Sequence, residues 1–390
     1  AGTYRVMTSI EILARLRAIQ GELCAAIAGL DDEGYRAQLH QDLSPIGWHL
    51  GHCAFIENYW LREVVQGDNC LTKSLTHYYV PVYCPKRERG PALPRKEQLL
   101  AEVAKSQADN LRLLSGMSAR AHAHPLMEND YLARFLVQHH CEHLETIDMA
   151  RTQRALNNEY AGFEPGKILR SAPTNRARQT VEAGHYWIGG EPPEAFDNEL
   201  PAHRFKSGEF NIAARPVSNA EYLRFIEDDG YRTRRYWSDV GWHWLERTGF
   251  SHPEHWRQDA RASWFGIDAQ GAHDLPPEDS IYGISYFEAQ ACAAWANGRL
   301  PHEHEWEIAY RMDILARTGR VWEWCANAFH PYAGFKPFPY DEYSLPWFDG
   351  AHHTLRGGSR CTRPDIRRAS FRNFYTPDKR HIFAGLRLVF

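Results

Sequence analysis

The chain has 390 residues, of which 43% are hydrophobic and 24% are charged, which is enough to bury a core in more than one domain. Its net charge of −4 leaves no basic surplus, so the composition argues against partners such as nucleic acid or an anionic membrane surface. The chain contains no run of about 18 apolar residues, and we therefore predict no transmembrane helix.

The cysteines and the start of the chain bear on the cellular compartment. The eight cysteines form no CxxC pair, which argues against a zinc ribbon and against a disulfide framework. The first residues lack the basic start and apolar run of a signal peptide. Reduced thiols and a cytoplasmic location are the resulting expectation.

The first part of the chain, from residue 8 to about 160, is predicted to form a four-helix bundle with one long crossover connection. The first helix is SIEILARLRAIQGELCAAIAGL, with Ser9 as its N-cap. The second is SPIGWHLGHCAFIENYWLREVV, with Ser44 as its N-cap and Pro45 at the first helical position. A predicted long loop, HYYVPVYCPKRERGPALP, then leads to the helices RKEQLLAEVAKSQADNLRLLSGM and ENDYLARFLVQHHCEHLETIDMARTQRAL.

The last of these helices carries a cluster of histidines. His139 and His143 are four residues apart, so they share the helix face that also carries its apolar stripe, and they could offer two nitrogens to one metal ion. His140 points about 100° away. Glu142 and Glu145 could accept hydrogen bonds from a ligand ring or from bound water. The alternative is a polar patch without a metal.

A third ligand is expected from the second helix, in the stretch WHLGHCAFIEN. It contains His49 and His52 on an apolar face, and spacing alone does not separate the two. Three neutral nitrogens with open coordination positions suit iron(II), zinc or copper.

The residue composition of the sequence changes after about residue 180. Glycine, proline and tryptophan become frequent, and two clear helices are predicted among short strands and long loops. The first begins with a capping box of Ser218 and Glu221, and the second runs from Ser285 to a stop at Gly298. We predict an α+β fold with a helical domain at residues 8–165 and a second domain at residues 175–390.

The segments SPIGWHLGHCAFIE and QHHCEHLET resemble the three-histidine helical domain of the DinB type. This resemblance selects His52 over His49 and adds His139 and His143 as the metal ligands.

The second half resembles the formylglycine-generating-enzyme fold, a variant of the C-type lectin fold. The motifs are ARPVSNAEYLRFI, ISYFEAQACAAWANGRLPHEHEWEIA, GRVWEWCANAF, LRGGS and FRNFYTPDKRHIFAGLRLVF. Formylglycine generation itself is not expected, since that activity uses a cysteine pair near the end of the domain and this chain has Cys361 alone there.

The pairing of these two domains is similar to the non-heme iron sulfoxide synthases of ergothioneine and ovothiol biosynthesis and to their selenoneine synthase relatives. The resemblance implies iron(II), Fe(II), as cofactor and O₂ as a substrate. The reaction would join the sulfur of cysteine or γ-glutamylcysteine to the imidazole of hercynine, giving a sulfoxide. A selenosugar as donor, or histidine in place of hercynine, are the alternatives within the family.

The same resemblance implies roles for further residues. Tyr78 or Tyr79 would donate a proton or electron, with Tyr340 and Tyr332 as weaker candidates, and Lys86, Arg87 or Arg89 would hold the donor's carboxylate. The alternative for these basic residues is a solvated loop. Asn373, Phe374 and Tyr375 would line the substrate pocket, where aromatic faces could contact a trimethylammonium group.

One position departs from the family pattern. Ergothioneine-type members often carry glutamine immediately before the second histidine of the helix, where it contacts the imidazole substrate, and this chain has Glu142. An ionised carboxylate accepts hydrogen bonds but donates none, so hercynine and histidine both stay open as substrates.

Two hypotheses from other classes also stay open. The helical domain could be a DinB-type transferase or hydrolase of small thiols with zinc or nickel. The chain could also bind a ligand without catalysis, as many lectin-like folds do.

Overall fold

The computed structural model describes residues 8–175 and 177–390. The chain divides after Arg154 into two compact units, the second of which runs from Ala155 to Phe390. The first unit is helical, while the second combines short strands, short helices and long loops, so the predicted α+β fold is confirmed. Within the described ranges, no helix has both the length and the apolar character needed to cross a bilayer.

The first unit consists of long helices joined by short ones. In chain order the helices are α1 (Ser9–Ala28), α2 (Asp32–Arg36), α3 (Ile46–Asn58), α4 (Thr76–Tyr79), α5 (Lys86–Ala92), α6 (Lys96–Ser115), α7 (Ala119–His122) and α8 (Tyr131–Leu156). A π-helical segment, Tyr59–Val65, prolongs α3, and a 3-10 helix, Pro125–Asp130, precedes α8. Helix α1 packs against α3 and α6, and α3 also packs against α6.

Helix α3 lies inside the first unit, and almost all of its residues are buried. Two glycines allow neighbouring rings to approach it closely. A Cβ at Gly47 would lie 2.2 Å from the ring of Tyr35, and a Cβ at Gly51 would lie 2.3 Å from the ring of Tyr79. The short helices α2 and α4 therefore hold an aromatic ring directly against the backbone of α3.

The predicted N-cap of α1 is wrong by one residue. Thr8 caps the helix, because its hydroxyl accepts from the Glu11 N–H while the Glu11 carboxylate accepts from the Thr8 N–H at 2.8 Å. The sequence offers two adjacent hydroxyl residues, and the glutamate that completes the capping box stands three residues after Thr8 rather than Ser9.

The start of α3 also differs from the prediction. The helix begins at Ile46 with Pro45 at the N-cap position, and the Ser44 side chain makes no cap. The Ser44 hydroxyl instead accepts a 2.5 Å hydrogen bond from Arg89. A contact between residues distant in sequence thus overrides the local capping preference of serine.

The segment HYYVPVYCPKRERGPALP is not the continuous loop that we predicted, because it contains α5 and most of α4. Its proline content favours a loop, but lysine, arginine and glutamate are good helix formers, and they fill the first turn of α5 after Pro85. The segment is therefore folded against the unit as two short helices.

Among its described residues, the second unit contains four α-helices, five 3-10 helices of three residues each, and eleven strands. The helices are α9 (Asn219–Glu227), α10 (Asp239–Thr248), α11 (Tyr286–Trp295) and α12 (Glu303–Arg311). The strands are β1 (Arg178–Val181), β2 (Gly184–Ile188), β3 (His203–Ser207), β4 (Phe210–Ala213), β5 (Trp256–Gln258), β6 (Trp264–Asp268), β7 (Gly271–His273), β8 (Trp322–Ala328), β9 (His353–Arg356), β10 (Asn373–Tyr375) and β11 (Ala384–Gly385).

The strands form small separate sheets. The largest has the order β10-β9-β8-β11, a second has the order β5-β6-β7, and β1 pairs with β4 as β2 does with β3. Only β8 and β11 run parallel among these pairs.

The predicted capping boxes of the second unit, at Ser218 and Ser285, are confirmed. Helix α11 ends at Trp295, earlier than the predicted stop at Gly298, and α10 and α12 were not predicted.

Buried ion pairs fix the largest sheet against α12. Arg356 of β9 and Arg372, next to β10, both donate to the carboxylate of Glu303, with shortest distances of 2.8 and 2.7 Å. All three side chains are fully buried. Because removing one member of such a pair leaves a buried charge without compensation, this network holds β10 in a defined position.

Candidate metal centre

Helices α3 and α8 bring three histidines of the first unit together. Nitrogen atoms of His52, His139 and His143 all lie within 4.8 Å of one another. The ring centroids of His139 and His143 are 4.5 Å apart, and that of His52 is 4.7 Å from that of His143. His139 and His143 approach each other because they stand one helical turn apart on α8. Three imidazoles at this spacing form a candidate site for one metal ion.

Burial keeps these imidazoles neutral. Loss of hydration lowers the pKa of His52 to about 4. Loss of hydration, together with the neighbouring histidines, holds the pKa values of His139 and His143 well below the usual range. A neutral imidazole has a nitrogen lone pair available, which is the form in which histidine binds a metal.

Each of the three rings uses its Nδ1 atom in a contact within the protein. His52 Nδ1 donates to the Tyr79 carbonyl at 2.7 Å. His139 Nδ1 lies 3.2 Å from His140 Nδ1, and His143 Nδ1 lies 2.8 Å from His49 Nδ1. The Nε2 atoms are thus the ones left for an ion, and the protein partners fix the orientation of every ring.

A second group of possible ligands overlaps the first. Cys53, His139 and His140 also have ligand atoms within 4.8 Å of one another. Both nitrogens of His140 are engaged, however, since its Nε2 lies 2.8 Å from the Glu57 carboxylate. Burial raises the pKa of the Cys53 thiol well above its usual value, and the nearby Glu57 charge raises it further. Because a thiol must lose its proton to bind a metal, this group is a poor site.

The donor set fits iron(II) as the family resemblance implies, because three neutral nitrogens with oriented rings leave coordination positions for other ligands.

His49, the other candidate on α3, is not part of this group of three nitrogens. Its Nε2 atom is buried and has no hydrogen-bond partner among the described residues, and its Nδ1 contacts His143. Burial lowers the pKa of His49 to about 3, with smaller contributions from the nearby His52, Arg89 and Lys86 side chains.

The two tyrosines predicted as proton or electron donors differ in exposure. Tyr78 is 42% exposed, and its carbonyl accepts from Trp48 Nε1 at 2.9 Å. Tyr79 is buried against α3, and burial raises its pKa above the usual range. The Trp48 ring, also on α3, stacks on His52 with centroids 4.5 Å apart. The α4 segment therefore supports the cluster through two backbone carbonyls, that of Tyr79 on His52 and that of Tyr78 on Trp48.

The three predicted carboxylate-binding residues also differ in how far their side chains are buried. Arg89 is buried, and its guanidinium donates to Ser44, to the Cys84 carbonyl and to the Pro81 carbonyl. Lys86 is half-buried, whereas the Arg87 side chain is 82% exposed and lies beside Glu88. Arg89 therefore fastens α5 to the unit, and the carboxylate-binding role of all three residues stays a prediction.

Glu142 and Glu145, predicted as acceptors near the ligands, lie on α8 as half-buried and buried side chains respectively. The contacts found at the ligand Nδ1 atoms are with Tyr79, His140 and His49 instead. The part of Glu142 in substrate binding stays a prediction.

The candidate pocket residues of the second unit lie on and near β10. Asn373 accepts the Phe374 N–H at 2.9 Å, and the Phe374 ring stacks on Phe329 with centroids 4.3 Å apart. Tyr375 ends the strand, paired with His353 of β9. Tyr340 is half-buried in a separate loop, with its ring centroid 6.0 Å from that of Tyr343. These side chains are partly accessible, and their binding role stays a prediction.

Sequence reasoning did not find the partners of the ligand rings. Helix geometry predicts only that His140 points about 100° away from its neighbours, and no pattern used above assigns a role to Glu57. A signal for Glu57 did exist, since it is the one carboxylate in the stretch GWHLGHCAFIEN, which is predicted to bury an apolar face, and such residues are rarely buried without a partner.

Comparisons with known proteins agree with this architecture. Residues 15–147 match the DinB superfamily. Residues 167–317 and 312–390 match the sulfatase-modifying factor enzyme 1-like domain.

Several relatives resemble the chain over almost its whole length. A hercynine oxygenase from Mycolicibacterium thermoresistibile is 31% identical, over 93% of this chain and 91% of the relative. A hercynine oxygenase from Mycolicibacterium smegmatis is 29% identical, over 98% of this chain and 99% of the relative. Ergothioneine biosynthesis protein 1 from Schizosaccharomyces pombe is 28% identical over 57% of this chain and 30% of its own length. The predicted family is confirmed, and the chain belongs to the hercynine oxygenase family.

Proposed function

We propose that this protein is an iron(II)- and O₂-dependent enzyme that joins the sulfur of a small thiol to the imidazole of hercynine and forms a sulfoxide. Membership in the hercynine oxygenase family supports the substrate and the use of oxygen. The observation that carries the proposal is the meeting of His52, His139 and His143 within 4.8 Å in the first unit.

The three histidines would hold the iron through their Nε2 atoms. Bound iron(II) supplies the redox chemistry that O₂ needs to react with organic substrates, and a cation without charged ligands also favours binding of an anionic thiolate. The protein's own contribution is to keep the rings neutral by burial and to orient them through their Nδ1 contacts.

Residues of α4 and α5 supply polar groups in the same unit. In this proposal Tyr78 or Tyr79 donates a proton during the reaction, while Lys86 or Arg87 attracts the carboxylate of the thiol donor. Arg89 also carries a positive charge, but its donors already bind protein oxygens, so its contribution to substrate binding would act through the position of α5. Glu142 would accept a hydrogen bond from the substrate imidazole or attract its ammonium group.

Asn373, Phe374, Tyr375 and Tyr340 of the second unit are proposed to contact hercynine. Its trimethylammonium group cannot donate hydrogen bonds, so an aromatic face is a suitable partner for it. The buried Glu303 network supports the part of the proposal that concerns Asn373, Phe374 and Tyr375, since it gives β10 a fixed position from which to present their side chains.

The test is incubation of anaerobically iron-loaded protein with hercynine, O₂ and single thiols, followed by mass spectrometry and measurement of O₂ uptake. We expect a product with the mass of hercynine plus cysteine or γ-glutamylcysteine, increased by one oxygen atom and decreased by two hydrogen atoms, since the other oxygen atom of O₂ leaves as water. O₂ uptake should occur only when both substrates are present. Histidine, a selenosugar and zinc-loaded protein form the comparison arms.

A product from histidine or from the selenosugar, with none from hercynine and a thiol, would replace the proposed substrates. Thiol transfer by the zinc-loaded protein, without O₂ uptake, would replace the proposed reaction. Cell fractionation would test the predicted cytoplasmic location.

A further inference from the structure

Glu57 connects the four long helices of the first unit. This fully buried carboxylate on α3 accepts hydrogen bonds from Gln20 of α1 at 2.9 Å, from Asn110 of α6 at 3.1 Å and from His140 of α8 at 2.8 Å. Gln20 and Asn110 satisfy its hydrogen-bonding capacity as neutral amides. His140 differs from them because its second ring nitrogen, Nδ1, contacts His139 of the candidate metal centre.

The two hydrogen bonds that link His139 to Glu57 through His140 have fixed donors and acceptors. His140 Nε2 must carry a proton in order to donate to the carboxylate. In a neutral ring its Nδ1 is then an acceptor, and His139 Nδ1, 3.2 Å away, must be the donor. His139 Nε2 consequently keeps its lone pair, so the carboxylate determines the tautomer of both rings.

We propose that Glu57, acting through His140, is a positioning pair for His139, and that it sets the strength with which the three-histidine site binds iron(II) and the potential of the bound ion. The inference rests on the proposed function, since it takes His139 as an iron ligand. A histidine that donates to a carboxylate is a better acceptor at its other nitrogen, and that acceptor in turn makes His139 a stronger electron donor. The buried negative charge also balances part of the charge of the ion.

Among the residues that the structure describes, the other two candidate ligands have no such link. His52 Nδ1 donates to a backbone carbonyl, and His143 Nδ1 contacts the neutral ring of His49. His139 is therefore the ligand through which a carboxylate charge reaches the site by way of hydrogen bonds.

Substitutions at two positions separate this role from the structural role of the carboxylate. A glutamine at position 140 can place its amide nitrogen close to the position of the histidine Nε2, so His140→Gln keeps the bond to Glu57 and removes the acceptor for His139. Glu57→Gln keeps the shape of the side chain and removes its charge. Gln20→Leu is the matched control, because it deletes a hydrogen bond to Glu57 and leaves His139 and His140 unchanged.

The measurements are the dissociation constant for Fe(II) alone by anaerobic calorimetry, the Fe(III)/Fe(II) midpoint potential and the thermal unfolding midpoint. We expect H140Q and E57Q to weaken Fe(II) binding by about 10- to 100-fold and to raise the potential. Q20L should lower the unfolding midpoint while its Fe(II) affinity and potential stay at the wild-type values.

The outcomes distinguish this inference from the proposed function. Wild-type affinity and potential in a folded H140Q or E57Q protein would overturn the positioning role and leave the iron site intact. The same loss of affinity in Q20L as in H140Q would also overturn it, because general loosening of the bundle would then explain both. A wild-type protein that binds no Fe(II) would overturn the iron site itself.

Discussion

His52, His139 and His143 each have their Nδ1 in contact with the protein and their Nε2 left for an ion, and at the residue scale this division explains the candidate site. The relation between His139 and His143 follows from helix geometry, so it could be predicted from the sequence. The relation between His140 and Glu57 could not, because the two residues are 83 positions apart. His49 and His52 are three positions apart on one face. They differ in their partners, because His49 Nδ1 contacts His143 Nδ1 while His52 Nδ1 donates to the Tyr79 carbonyl.

A buried carboxyl in the second unit gives a prediction at this scale. Burial raises the pKa of Asp197 to about 6, although Ser344 and the Phe338 N–H donate to it. A carboxyl with a raised pKa in the folded protein favours folding when protonated. Its contribution is therefore complete below about pH 4 and is lost as the pH rises through 6.

Asp197→Asn should lose this pH dependence because the amide does not titrate. Relative to the variant, the wild-type protein is expected to lose about 3 kcal/mol of unfolding free energy between pH 4 and pH 7. Urea denaturation at a series of pH values measures the difference. Asp313→Asn, an exposed position, serves as the control and should run parallel to the wild type. A constant difference between wild type and D197N would refute the raised pKa.

At the scale of elements, the long helices and the capping boxes of α9 and α11 could be predicted because their signals are local. The N-cap of α1 is wrong for a local reason, since Glu11 completes a capping box with Thr8. Two other errors have a common cause in contacts between distant residues. Ser44 bonds to Arg89 in place of capping α3, and the proline-rich segment folds as α4 and α5 because Arg89 and Tyr79 fix it to the unit. The helices α10 and α12 were missed although they are as long as α9 and α11, because neither begins with the capping box of serine and glutamate that marks those two.

The close approach of α4 to α3 predicts opposite effects of one substitution at two helical glycines. Gly51→Ala would place a Cβ 2.3 Å from the Tyr79 ring, while Gly21→Ala of α1 meets nothing within 4 Å. We expect G51A to destabilise the protein by about 1–3 kcal/mol through overpacking, and G21A to stabilise it by about 0.5–1 kcal/mol. Chemical denaturation of both variants measures these changes.

G51A should also weaken Fe(II) binding, since displacement of Tyr79 moves the carbonyl that holds His52. Stabilities of G51A and G21A that change in the same direction would contradict the packing described for α3 and α4.

At the scale of the whole molecule, the α+β class and the family could be predicted from the sequence, because paired motifs in a fixed order are specific. The predicted domain limits of 8–165 and 175–390 stay predictions, as do the roles of the substrate-binding residues. Substrate choice depends on the shape and charge around a bound ligand, which helix periods and motif spacing do not encode. The proposed metal site combines two segments separated by more than 80 residues, and the family resemblance alone predicts His52 rather than His49 as a ligand.

The central claim is that one iron ion is held by His52, His139 and His143. X-ray absorption at the iron edge of the anaerobically loaded protein tests it most directly. We predict three imidazole nitrogens at about 2.1 Å, no sulfur ligand, and loss of this signal in each of the variants H52A, H139A and H143A. An iron–sulfur contact, which would point to Cys53, or an unchanged spectrum in any of these variants would contradict the account.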